Sequence, residues 1–296
     1  MAKQRRIDAL TGWATKYPLA PRYPRSTRLA LRAADGTALR AYRISGPPSA
    51  WVTVVIAHGF VNSSRTPAIH AFVQRLSLDV HVIALDLRGH GASGGYASMG
   101  VREPLDVEAA VRAARSWSPG LPVVTLGISL GGAAVLLQAG TAPDSQISYA
   151  EAGDLTSASA HKRLAGKPDG VVAVSAPAFW GVLDTPGTAR MAFWVGSRLG
   201  RFLLAHLLST RLPESCDSVP DSSDTVAAIA PSFIVVAHDP GDWYFPAEHP
   251  ERLIAWAHEP KALWWYEGRG HGTDLLDDAF ADRVLSHARS QLGSEL

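Results

Sequence analysis

Val123-Val124-Thr125-Leu126-Gly127-Ile128-Ser129-Leu130-Gly131-Gly132, running on into Ala133-Ala134-Val135-Leu136-Leu137, is the stretch whose reading decides the fold. The run up to Ile128 is continuously apolar and β-rich, as in a strand buried on both faces, and the run from Gly131 to Ala139 has helical composition. Between them the pattern G-x-S-x-G predicts a sharp turn that projects a serine oxygen from the sheet edge. Only flanking residues without bulky side chains leave the backbone room for that turn, and Gly127 and Gly131 meet the demand. The helix that follows presents free N–H groups and a positive dipole end to a developing oxyanion. Among 26 glycines such a motif also arises by chance, so its surroundings must carry the reading.

Outward from the motif, short apolar runs recur at Val52 to Ala57, Val80 to Leu85, Val171 to Val174, Phe233 to Ala237 and Leu263 to Tyr266. Segments of helical spacing separate them: Ala68 to Leu78, Leu105 to Trp117, Glu251 to Ala257 and Ala279 to Leu292. Strand alternating with helix predicts right-handed crossovers and a mostly parallel α/β sheet with helices on both faces. Ahead of it, two alternating runs around Asp35-Gly36, over residues 28 to 44, predict an antiparallel hairpin.

Two stretches break the alternation. Thr141 to Lys167 lacks apolar periodicity and is expected to be a surface insertion, at about 141–168. Pro177 to Pro231 contains the amphipathic segment Ala189 to Leu208 and is expected to be a cap of one or two helices over the sheet's upper edge. Ligands of open parallel sheets bind beyond the carboxyl ends of the strands, where this cap emerges. Extra core and an interfacial membrane helix are the alternatives for the segment. The whole divides into an arm at 1–27, in which arginines alternate with Pro18, Pro21 and Pro24, and a single domain at 28–296.

Taken together, these features resemble the α/β-hydrolase family, from the hairpin to the last helix. Val54-Val55-Ile56-Ala57-His58-Gly59-Phe60 is similar to that family's strand and His-Gly oxyanion loop. By that resemblance the backbone N–H groups of Phe60 and Leu130 form the oxyanion hole, while the Phe60 side chain is free to line a pocket. His58 is read as a buried, satisfied histidine rather than a catalytic one. Asp86-Leu87-Arg88-Gly89-His90-Gly91-Ala92-Ser93 looks like a structural loop of the same family. Gly89, Gly91 and Gly94 also match G-x-G-x-x-G, but no helix follows directly, so a dinucleotide site is a weak reading.

A serine nucleophile needs a base, and the base an orienting acid, in the chain order Ser, Asp or Glu, His. The resemblance assigns the base to His271 within Gly270-His271-Gly272, on a loop beyond a strand. For the acid, relatives carry a histidine, an aspartate four residues on and a proline four further; His238, Asp242 and Pro246 fit, which selects Asp242. Asp239 is read as a turn residue whose carboxylate caps local backbone. Trp180, Trp194, Trp243 and Tyr244 are pocket candidates, with Trp243 first because it adjoins the acid.

Bulk properties narrow the class. A formal net charge of +1 and 47% hydrophobic residues describe a globular chain with no electrostatic preference for nucleic acid. One cysteine, Cys216, forms no internal disulfide, and no run suggests a membrane span or a secretory leader, so the expectation is a cytoplasmic protein without stable membrane anchoring. No histidine or cysteine spacing suggests a metal, and serine chemistry needs no cofactor. The expectation is thus a serine hydrolase acting on an ester of a hydrophobic small molecule. A thioesterase or acyltransferase with the same residues, an aminopeptidase, and a non-catalytic binding protein of this fold remain as alternatives. Serine in place of the aspartate nucleophile of dehalogenase and epoxide-hydrolase relatives argues against those two chemistries.

Overall fold

The computed structural model describes residues 20–141, 166–180, 185–214 and 220–293. Eight strands form one sheet: β1 Ser26–Arg32, β2 Ala38–Ile44, β3 Thr53–Ala57, β4 His81–Asp86, β5 Val123–Ile128, β6 Gly170–Val174, β7 Phe233–His238 and β8 Lys261–Trp265. Their spatial order is β1-β2-β4-β3-β5-β6-β7-β8. β2 pairs antiparallel with β1 and β4, and every later pairing is parallel. This is the mostly parallel α/β sheet with an antiparallel start that the strand and helix spacing predicted.

Seven α-helices connect or follow the strands within the described residues: α1 Pro67–Leu76, α2 Glu103–Trp117, α3 Leu130–Gly140, α4 Pro186–Gly196, α5 Arg198–Leu207, α6 Glu248–Trp256 and α7 Asp278–Leu292. Successive strand side chains point to opposite faces, so each central strand feeds two cores. Val55 and Ala57 of β3 pack with α2, α3 and α6, whereas Val54 and Ile56 pack with α1 and α7. Burial on both faces is why the strand sequences read as unbroken apolar runs.

Boundaries shift where polar residues have a local use. β8 begins at Lys261, two residues before the apolar run, because the lysine Nζ donates to the carbonyls of Ile254 and Ala257 at the end of α6. α6 begins at Glu248 and contains Pro250, which the first turn tolerates since that N–H has no intrahelical acceptor.

Between β6 and β7, where a cap was expected, the described residues form two α-helices. Thr185 opens α4 with a capping box to Thr188, and the Ser197 hydroxyl opens α5 by accepting from the Gly200 N–H. Met191, Trp194, Val195, Leu204 and Leu208 turn inward and pack with Phe60 and Val61 beyond the end of β3. Most of the expected insertion at 141–168, most of the expected arm at 1–27 and Cys216 lie outside the described residues.

Candidate active site

Four strands of the one sheet deliver the residues in question from their carboxyl ends. The loop after β3 carries Phe60, the turn after β5 carries Ser129, and the loops after β7 and β8 carry Asp242 and His271. Ser129 sits at φ 53°, ψ −115°, a backbone conformation that costs a non-glycine residue about 1–3 kcal/mol. The flanking glycines show what enforces it. A Cβ at Gly127 would meet the Gly131 carbonyl oxygen at 2.1 Å, and one at Gly131 would meet that of Ala57 at 2.2 Å. Close backbone crossing therefore dictates both glycines of the motif.

The Ser129 Oγ lies 3.0 Å from Nε2 of His271, and Nδ1 of His271 lies 2.6 Å from Oδ2 of Asp242. An ionised carboxylate only accepts, so Nδ1 carries the proton and Nε2 is left to accept from the serine hydroxyl. Asp242 is shielded from water, and burial alone would raise its carboxyl. The charge and hydrogen bond of His271, His238 nearby and the Tyr244 N–H more than offset that and hold it below the usual carboxylate range. Its other oxygen accepts from the N–H groups of Tyr244, at 2.8 Å, and Phe245, at 3.3 Å. Burial pushes His238 down, and its Nε2 donates to the Phe245 carbonyl at 2.7 Å, so it braces the acid loop as a neutral ring.

Beside the serine, a Cβ on Gly59 would come within 3.3 Å of the Ser129 Cβ, which places the loop after β3 in contact with the turn. Leu130 is the first residue of α3, so its N–H has no intrahelical acceptor. Among the described residues no internal hydrogen bond takes the Phe60 or the Leu130 N–H. The next N–H along, that of Val61, donates to Nε2 of His90 at 3.3 Å.

His58 is fully buried, with Nδ1 donating to the Gly59 carbonyl at 2.8 Å and Nε2 accepting the Leu87 N–H at 3.0 Å. Burial lowers it to about 4, and His90, depressed by burial and by His58, to about 3, so both are neutral struts. Gly89 and Gly91 are at φ +72° and +52°, and added methyls there would strike Ala97 backbone and the Asp86 carboxylate. The next helix begins only at Glu103, so these glycines serve close packing and do not open a helix.

Among the pocket candidates, Trp180 and Trp194 join the apolar cluster that also holds Phe60. Tyr244 lies 4.6 Å from the His271 ring, with Phe245 at 5.6 Å. Trp243, which adjacency to the acid favoured, is 39% exposed and its ring meets that of Tyr244 edge to face. Two further residues touch the site beyond those assigned to it from the sequence. Ser175, just beyond β6 at φ 48°, accepts the Gly272 N–H at 3.0 Å. Asp239 caps the Gly241 N–H at 2.8 Å as expected of a turn residue, and its second oxygen also accepts from Gly270 at 2.5 Å. Among the described residues no group of three or more His, Cys, Asp or Glu side chains is arranged to hold a metal ion, and no helix is long and apolar enough to cross a membrane.

A family model for serine aminopeptidases (S33) matches residues 48–150, a span that holds Phe60 and Ser129 but neither Asp242 nor His271. No curated protein matches by sequence. Solved structures do match over nearly the whole chain. The esterase Pf2001 of Pyrococcus furiosus superposes with a TM-score of 0.65 at 16% identity, covering 94% of this chain and 98% of its own. Est1E of Butyrivibrio proteoclasticus, solved with ferulic acid bound, gives 0.58 at 19% identity over 88% and 99%. A serine hydrolase without a lid, XC6422 of Xanthomonas campestris, gives 0.55 at 15% over 93% and 98%. With its sheet order, its strand-turn-helix at Ser129 and these likenesses in agreement, the chain has the α/β-hydrolase fold, and its residues 48–150 are similar to the serine aminopeptidase family.

Proposed function

We propose that this chain is a serine esterase that forms an acyl-enzyme on Ser129 and releases it to water. The observation that carries the reading is the linear hydrogen-bonded series of Ser129 Oγ, His271 and Asp242 at 3.0 and 2.6 Å. As Ser129 attacks the ester carbonyl, His271 Nε2 takes the hydroxyl proton and then returns it to the departing alkoxide. Asp242 fixes the tautomer that leaves Nε2 free and stabilises the imidazolium that forms between the two transfers. The Phe60 and Leu130 N–H groups receive the oxyanion of the tetrahedral intermediate. A water activated by the same imidazole then repeats the sequence and frees the acid.

The apolar surroundings support a hydrophobic acyl or alcohol portion. Phe60, Met191, Trp180 and Trp194 gather in one apolar cluster beside the end of β3. The named esterases among the structural neighbours support ester cleavage by analogy of fold alone. The aminopeptidase model favours amide cleavage as a second reading. Its match ends at residue 150, ahead of acid, base and cap, and so bears on the nucleophile's surroundings only.

The test is turnover of p-nitrophenyl esters of graded acyl length beside acyl-CoA thioesters and aminoacyl p-nitroanilides. We expect the esters to be cleaved fastest, with Ser129 labelled by a fluorophosphonate. Preferential cleavage of anilides would replace the ester reading by the aminopeptidase one. An unlabelled Ser129 with no turnover of any class would leave a binding protein.

A further inference from the structure

The His271 loop sets two left-handed glycines beside three side-chain anchors. Gly270 and Gly272, on either side of the histidine, are at φ +99° and +62°, a region that only glycine enters without strain. Three successive N–H groups here each meet a side-chain acceptor: Gly270 meets Asp239 Oδ2 at 2.5 Å, His271 meets Asp274 Oδ2 at 3.3 Å, and Gly272 meets Ser175 Oγ at 3.0 Å. Asp239 and Ser175 are buried, whereas Asp274 is exposed.

Asp239 reaches in two directions. Its carboxylate holds the Gly270 and Gly241 N–H groups, while its carbonyl oxygen accepts the N–H of Asp242 at 2.9 Å. One residue thereby ties the peptide of the acid to the peptide before the base. Ser175 supplies the opposing hold. Its N–H donates to Ala237 at 2.9 Å, and its left-handed backbone aims Oγ at the far side of the histidine.

We infer that Asp239 and Ser175 are positioning residues that fix the His271 imidazole between Asp242 and Ser129. This rests on the acyl-transfer reading, since it assigns these two side chains to the placement of that base. An asparagine at 239 has one carbonyl oxygen for two N–H donors and turns its amide hydrogens toward the other. A glycine at 175 suits the left-handed backbone better than serine does and loses only the hydroxyl. A role confined to stability therefore predicts that Ser175→Gly lowers the melting temperature, by leaving the Gly272 N–H unpaired, with kcat unchanged.

The experiment compares Asp239→Asn, Ser175→Gly and His271→Ala with the wild type in the full chain. Kinetics on a soluble p-nitrophenyl ester are read beside the downfield NMR resonance of the His271 Nδ1 proton bonded to Asp242. We expect kcat to fall about ten- to a hundredfold in each positioning variant with KM within about twofold, as for a base misplaced by up to an ångström. The resonance should broaden or move upfield in both. Wild-type kcat in both variants, or a resonance that stays in place, overturns the inference. Loss of the acyl-transfer reading looks different: His271→Ala then turns over ester like the wild type, and the resonance alone decides whether the clamp positions the ring.

Discussion

Around Ser129 the molecule is held by backbone, and in α4 and α5 by side chains. At the carboxyl ends of β3 and β5 an added methyl at Gly127 or Gly131 would lie 2.1 or 2.2 Å from a carbonyl oxygen, with no side chain able to move aside. In α4 and α5, by contrast, Leu204 and Met191 face Phe60, while Phe193, Leu199, Phe202 and Leu207 on the same two helices are more than half exposed. A floor of crossed backbones has one solution, whereas a roof of packed apolar side chains tolerates many sequences. The difference suits the chemistry proposed above. Proton transfer between Ser129 and His271 needs fixed distances, while a hydrophobic substrate portion needs only a surface of suitable size.

The contrast can be broken most forcefully at the floor. Gly131→Ala is expected to yield no properly folded protein, or one whose melting temperature falls by more than 15 °C. Such an overlap with backbone exceeds the roughly 4–5 kcal/mol that marks severe substitutions. A soluble variant melting like the wild type would show that the turn can open.

Next come the reacting groups. Ser129→Ala should retain the fold and lose about 10⁴-fold or more in kcat for esters, and Asp242→Asn about 10³- to 10⁴-fold, because the imidazole then adopts the wrong tautomer. Circular dichroism and steady-state kinetics decide both. Equal losses from Asp242→Asn and Asp239→Asn would move the acid's role away from Asp242.

At the roof the expected effects split by face. Leu204→Ala should cost about 2–4 kcal/mol in urea unfolding by opening a cavity between α5 and the loop after β3. Leu199→Ser, on the exposed side of the same helix, should change stability by less than about 0.5 kcal/mol. Similar costs for the two would mean that the outer face is covered by something that the described residues do not include.

The smallest and most gradual effect is on pH. His58 and His90 are depressed to about 4 and about 3 from an ordinary value of 6.5, and His70, His81, His238 and His287 are shifted in the same direction by burial. The unfolded chain then binds more protons than the folded one below pH 6.5, so stability is full above that pH and is lost as pH falls. Asp106, raised by burial to about 7 against the pull of Arg88, works in the opposite sense. Six histidines outnumber it, and the urea midpoint should decline from about pH 6.5 to 4. The decline should be shallower in His58→Asn than in the wild type. A midpoint flat across that range would mean that these rings are not held neutral.

What the chain declares in one dimension is the floor. Strand runs buried on both faces leave no polar alternation, and steric crossing leaves glycine at 127 and 131, so Val123 to Gly132 predicts a turn that the backbone at Ser129 makes. Resemblance then pointed to Asp242 and His271, and the two meet at 2.6 Å. The remainder depends on partners far apart in sequence. Nothing near Ser175 announces that Gly272 will donate to it, and Asp239 looked like a turn residue because Gly270, its second partner, lies 31 positions away. Trp243 stood next to the acid in the chain, yet the turn that aims Asp242 inward leaves Trp243 exposed and lays Tyr244 on His271. Sequence alone determined the elements and the motif, because those follow from local sterics and periodicity. Tertiary structure alone decided which side chains hold the histidine in place, because that depends on where the ends of separate strands come together.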